Sequence, residues 1–236
     1  MTQQRIQHGT AVFEYELIRS RRKTLSIIVR PDRSVTVRAP LRASTADIEA
    51  VLRKKAGWIA KKLQMFDDFP PPLPPRRYIS GETHLYLGRP YRLIVVEAQK
   101  QNVMLQDSHF LLHVRDTGDR ERKRKLMTEW YRGRARQIFA ARLDACYPRA
   151  ARYGIPFPQM KIRLMKKRWG SCSSKGWIQL NLRLIQTPQD AIDYVIFHEL
   201  SHLQVPYHNK DFYALLDKML PDWRAQREKL NKIQVA

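Results

Sequence analysis

Five consecutive residues, His198-Glu199-Leu200-Ser201-His202, have the types and spacing to hold a metal ion and put it to use. Residues four apart on an α-helix share a face about one turn apart, so both imidazoles can reach one cation. Glu199 sits one position around from His198, beside such an ion rather than on it, where it can take a proton from metal-bound water. Imidazole nitrogen is a good zinc ligand, and zinc lowers the pKa of bound water to roughly 7. With seven His and nine Glu in 236 residues, composition alone yields this pentapeptide in roughly one such chain in a hundred. The plain alternative is two surface histidines that share a face. Apolar neighbours Ile196, Phe197, Leu200 and Leu203 argue against an open, solvated helix.

A catalytic zinc takes three protein ligands and keeps one position open. His208 is the first candidate for the third, because Pro206 ends the helix and lets the chain turn back. The spacing from His198 to His208 matches the long H-E-x-x-H-x-x-G-x-x-H pattern, but Val205 stands where that pattern has Gly. The loop must therefore return by another route. Asp211, Asp217 and Glu228 on the following helix are the rival ligands. A tetrahedral oxyanion needs a further donor, for which Tyr207, Tyr213 and Arg168 are candidates.

The elements that must position these groups are legible around them. Thr187-Pro188-Gln189-Asp190 announces the motif helix: Thr as N-cap, Pro in the first helical position, and Asp able to bond back at the positive end of the dipole. Before it, QMKIRLMKK and RWGSCSSKGWIQLNLRLI read as strands around a turn at Ser173-Ser174-Lys175-Gly176. From Asp119 a long basic helix carries an apolar stripe of Leu126, Met127, Trp130, Ile138, Phe139 and Leu143. Residues 76–118 read as a small antiparallel meander containing His84, His109 and His113, which are read as surface or core-edge residues. At the start, AVFEYELIR, TLSIIVR and SVTVRAP read as strands, the last two flanking a turn at Pro31-Asp32-Arg33. A helix capped by Ser44 or Thr45 follows and stops at the run Pro70 to Pro75, a stiff linker. The segments are thus 1–69, 70–75, 76–118 and a catalytic region 119–236.

Composition constrains the rest. The 44 Lys plus Arg against 22 Asp plus Glu give a formal net charge of +22 and a pI near 10.4. Hydrophobic residues at 43% are enough for a core. No apolar run reaches the roughly 18 residues of a membrane span, and the first twenty residues lack an apolar signal region, so a cytoplasmic protein without membrane contact is expected. Cys146 and Cys172 are too few for a disulfide scaffold. The charge attracts anions, and non-specific nucleic acid is one such partner; yet no zinc-finger, RRM or basic-zipper pattern accompanies it.

HELSHLQVPYHNKDFY, preceded by RWGSCSSKGWIQLNLRLIQTP, resembles the YgjP-like metallopeptidases, a family related to SprT-type minimal zincins. The likeness extends to SRRKTLSIIVRPDRSVTVRAP and the helix ending in GWIAKKL. It implies one zinc ion on His198, His202 and His208, with Glu199 as general base. It also implies a zincin-like core, with the motif helix packed on a small sheet; together with the N-terminal strands and helix read above, the expected fold is α+β, that core plus an N-terminal antiparallel β/helix region. Arg168-Trp169-Gly170-Ser171-Cys172 would then lie on strands rimming the metal cleft. There Gly170 would permit close backbone approach and Arg168 could grip a carboxylate or phosphate. The plain alternative is a tight bulge with Trp169 in the core; Cys172 reads as a small buried residue more readily than as a fourth ligand. The leading functional expectation is a zinc-dependent hydrolase acting on a peptide or protein. The alternatives are hydrolysis of the phosphoanhydride of an anionic small molecule such as a nucleotide, with no P-loop to support it, and a DNA-associated basic protein or protease acting on nucleic-acid-bound proteins.

Overall fold

A computed structural model of the chain describes residues 2–8, 11–30, 34–67, 74–165, 168–173 and 175–233. The turn expected at Pro31-Asp32-Arg33, residues 70–73 of the expected linker, and Ser174 lie outside the described residues. The chain forms two compact units, Met1–Leu73 and Pro74–Ala236.

The first unit contains β1 (Thr2–His8), β2 (Ala11–Ser20), β3 (Ser26–Val29), β4 (Val35–Pro40) and α1 (Thr45–Asp67). Its strands lie in the order β1-β2-β4-β3. The expected all-antiparallel arrangement is corrected here: β2 and β4 run parallel, from Glu16 opposite Thr36 to Ser20 opposite Pro40. The cause is burial. Val35, Thr36, Val37 and Ala39 make β4 the most enclosed of these strands, so it takes a central place and pushes its hairpin partner β3 to the edge. Ile48, Leu52, Ala56 and Ile59 of α1 complete this core. Ser44 caps the helix as expected, its Oγ accepting from the Asp47 N–H at 3.0 Å.

The second unit begins with β5 (Thr83–Tyr86), β6 (Arg89–Glu97), β7 (Asn102–Gln106) and β8 (His109–Val114). The same order recurs, β5-β6-β8-β7, with β6 and β8 parallel, so the expected antiparallel meander is corrected too. Phe110, Leu112 and Val114 alternate into the core and draw β8 to the centre. The long helix α2 (Arg120–Ala151) is capped by Asp119, which accepts from the Arg122 N–H at 2.9 Å. Its stripe of Leu126, Met127, Phe139 and Leu143 packs in one continuous core with β8 and with the motif helix α3 (Gln189–Gln204). Arg142 of α2 grips Asp193 of α3, Nε to Oδ1 at 2.7 Å.

A three-stranded sheet precedes α3: β9 (Gln159–Arg163), β10 (Gly170–Cys172) and β11 (Trp177–Asn181), in the order β10-β11-β9. The expected strand continuation through LRLI is instead a 3-10 helix, Leu182–Gln186. Buried Asn181 explains the break: its Oδ1 accepts from the Arg183 N–H at 3.1 Å and turns the backbone out of the sheet. The same amide donates to the carbonyls of Met165 and Arg168, each at 2.8 Å, tying the chain before β10 to the sheet. The capping expectation for α3 is also corrected. Thr187 is fully buried and its hydroxyl donates to Leu184 O at 2.8 Å, while Pro188 occupies the N-cap position. Helices α4 (Lys210–Met219) and α5 (Trp223–Lys232) close the unit. No helix among the described residues is long and apolar enough to cross a membrane.

His84 is one of the few buried polar residues, 3% exposed. Its Nε2 lies 3.9 Å from Glu82 Oε2, with no hydrogen-bond partner among the described residues, and its ring packs against Tyr78 and Phe110. Burial, then the nearby Arg76 charge, push its pKa down to about 4. Between pH 6.5 and 4 the unfolded chain binds a proton here that the folded chain refuses. Stability should therefore fall as pH drops through that window, by up to about 3 kcal/mol. Urea denaturation of the parent and of His84→Gln at pH 7.5 and 5 checks this. By pH 5 the parent should lose about 2 kcal/mol more than the variant, the part of the window then crossed, and an equal loss in both proteins would contradict it; other acid-labile groups, His198 included, contribute to both alike.

Candidate metal centre

His198 and His202 leave α3 one turn apart, and His208 returns from the loop before α4. The return needs no glycine. Val205 is extended (φ −122°, ψ 98°), as a residue before proline prefers, and none of residues 205–208 has positive φ. The loop is held at both ends: the Val205 N–H donates to Ser201 O at 2.8 Å, and Asn209 caps α4 by accepting from the Phe212 N–H at 3.0 Å. That is why valine serves where the long motif has glycine.

The three imidazoles converge. His208 Nε2 lies 3.1 Å from His202 Nε2 and 3.0 Å from His198 Nε2, and one ligand atom from each ring falls within 4.8 Å of the others. His202 Nδ1 lies 3.2 Å from Val205 O. A carbonyl only accepts, so Nδ1 carries the proton and Nε2 presents its lone pair. A proton on His208 Nε2 could satisfy only one of its two contacts, whereas a cation at the convergence satisfies all three lone pairs; the donor set fits zinc. Burial, then the neighbouring imidazoles and Arg227, push the His198 pKa down to about 3, and burial also lowers that of His202. Both rings are thus held in the neutral, ligating form.

Phe212, fully buried, floors the cluster with its ring centroid 4.5–5.0 Å from all three imidazoles. Behind it Tyr213 stacks on His208 and on Trp223, and Trp223 on Tyr194, whose ring meets His198 edge-on at 5.9 Å. Neither Phe212 nor Tyr194 stands out in the sequence, because both read as ordinary helix-core aromatics.

Glu199 is 4% exposed and its Oε2 has no partner among the described residues. Burial pushes its pKa up to about 8, opposed by the Arg168 charge. The carboxylate and the histidines open into a cleft of about 860 Å3, also lined by residues 168–173 and by Arg227 and Asn231 of α5. Within 168–173, β10 is an edge strand of its sheet, and α3 packs against it. Trp169 both lines the cleft and packs against the core. Cys172 lines the cleft with its pKa raised to about 11 by burial and by Glu199, and it is not among the converging donors. Of the candidate oxyanion donors, Arg168 lines the cleft; Tyr207 is 78% exposed and not part of the lining, and Tyr213 is stacked on His208. The rival carboxylates stand apart: Asp217 accepts from Trp223 Nε1, Glu228 pairs with Lys232, and Asp211 is exposed.

Gly170 is where the sheet touches the carboxylate. A Cβ there would lie 2.8 Å from both Cγ and Cδ of Glu199 and closer still to Oε1. Gly170→Ala should therefore displace the carboxylate without disturbing the histidines. Turnover should fall about 10²-fold, the scale of a misplaced reacting group, with metal content unchanged. Steady-state kinetics beside metal analysis reads both, and unaltered turnover would contradict the contact.

No curated protein sequence matches the chain. Among solved structures, the crystal structure of the metallopeptidase zymogen of Pyrococcus abyssi abylysin is 25% identical with a TM-score of 0.34, over 41% of this chain and 99% of that one. The family model described as YgjP-like, metallopeptidase domain, matches residues 23–233. A match over nearly the whole sequence, with the three histidines and Glu199 inside it, means that the chain belongs to the YgjP-like metallopeptidase family.

Proposed function

We propose that this chain is a zinc-dependent peptidase with a zincin-like core, in which His198, His202 and His208 hold the ion and Glu199 is the general base. The observation that carries the reading is the convergence of three imidazole nitrogens beside a buried carboxylate at the floor of an open cleft. A zinc ion held there would supply Lewis acidity, activating water at a pKa of roughly 7, and would favour the ionised form of Glu199. Glu199 then takes the proton of the attacking water and passes it to the departing amine. Its unpartnered Oε2 leaves that atom free for the exchange. Edge strand β10 offers its open backbone to an extended peptide, which would add as a further strand. Arg168, on the rim beside Glu199, is placed to meet negative charge developing on the substrate.

The test is a substrate panel. Zinc-loaded full-length chain is incubated with an unstructured protein and, separately, with nucleoside triphosphates. Peptide cleavage without phosphate release is the expected result. Phosphate release without cleavage would transfer the site to nucleotide chemistry.

A further inference from the structure

The charges around the cleft are lopsided. Glu199 is the only acid among the described residues lining it, and it lies buried at the floor. Two guanidinium groups line the walls, Arg168 on the β10 side and Arg227 on α5. Arg168 has Glu199 within electrostatic reach. Arg227, an exposed residue, has His198 and Tyr194 within electrostatic reach instead, and among the described residues it forms no ion pair with a carboxylate. The acids nearby are already engaged: Glu228 with Lys232, Asp217 with Arg224, and Asp190 with Lys229.

The helix itself sets this up. Trp223, Gln226 and Leu230 turn into the core, which fixes the rotation of α5. Arg227 and Asn231, one turn apart, are then carried to the cleft wall. Tyr194 lines the same cleft, with Arg227 within electrostatic reach of it. A guanidinium, an amide and a phenol thus line one cleft whose only acid among the described residues is the buried Glu199. Planar donors of this kind match a carboxylate in two-point contact.

We propose that Arg227, supported by Asn231 and the Tyr194 hydroxyl, binds a carboxylate of the substrate, so that the cleft selects peptides bearing an acidic group on the His198 side of the scissile bond. The proposal rests on the peptidase reading and names its substrate class. The carboxylate has two possible sources, an Asp or Glu side chain or the free carboxyl terminus of the peptide.

Binding can be read apart from turnover. Zinc-loaded full-length chain carrying Glu199→Gln is titrated at physiological ionic strength with three fluorescent acetylated peptides: one with Glu and an amidated end, one with Gln and an amidated end, and one with Gln and a free carboxyl end. At least one acidic peptide should bind about 10- to 100-fold more tightly than the neutral one. That advantage should vanish when Arg227→Gln is added, the acidic peptides then binding no more tightly than the neutral one. Preference for the first peptide assigns the side chain, and preference for the third assigns the terminus. Equal affinities, no measurable binding of either acidic peptide, or a preference that survives Arg227→Gln would overturn the proposal. The parent chain, assayed for cleavage of the same peptides, separates the two claims. Cleavage without charge preference overturns this assignment alone, whereas Arg227-dependent binding without cleavage upholds it and counts against the peptidase reading.

Discussion

Glu199→Gln should lower kcat by about 10²–10⁴-fold, the contribution of a positioned proton-transfer group, while the protein stays folded and keeps its metal. The separation follows from where the carboxylate lies. Glu199 is 4% exposed, one oxygen is orphaned, and burial pushes its pKa up to about 8. An ionised carboxylate held like this weighs against the fold, so a neutral amide of the same shape leaves stability equal or higher. The three imidazoles do not lean on Glu199 for their placement; they are set by α3, the Val205 turn and Phe212. Steady-state rates, metal content and a denaturation curve on the same preparation make the check. Normal turnover in the variant would remove the assigned role of Glu199, and lost metal would mean that the site is less modular than its geometry indicates.

His202→Ala should act the other way, removing metal and activity together. His202 supplies one of three converging nitrogens, and its tautomer is set by the Val205 carbonyl. Losing a mere supporting partner of a ligand already weakens metal affinity about 10–100-fold, and losing the ligand itself should exceed that. The parent should also be steadied by added zinc. At a hundredfold excess over Kd the gain is about 2.7 kcal/mol, roughly 5–10 °C in Tm for a protein of this size. The variant should show no such shift. His202→Gln, which fills more of the space beside Phe212, guards against a simple packing defect. Thermal melts with and without zinc, run on both variants, decide it.

How far the sequence foretold this depends on whether a feature is local. His198, Glu199 and His202 lie on one helix with fixed periodicity, so their meeting could be read directly, and Pro206 marked where the chain had to turn towards His208. The parallel pairings of β2 with β4 and β6 with β8 could not be read, because alternation tells which face is buried and not which strand is the neighbour. Thr187 carried a good capping pattern that lost to burial: the 3-10 turn before it offered Leu184 O as a nearer partner. Arg227 was hidden for a different reason. It is one of 44 basic residues, and only the packing of Trp223, Gln226 and Leu230 shows which way it points. The same holds for the net charge of +22: its total says nothing of place, and only the fold shows that Arg168 and Arg227 line the cleft.

The most direct test of the central claim is metal analysis of the full-length chain purified without added metal, with His202→Ala prepared in parallel. About one equivalent of zinc per parent chain and almost none in the variant is the predicted result. Equal metal in both proteins, or none in either even after incubation with zinc, would contradict a metal centre at His198, His202 and His208.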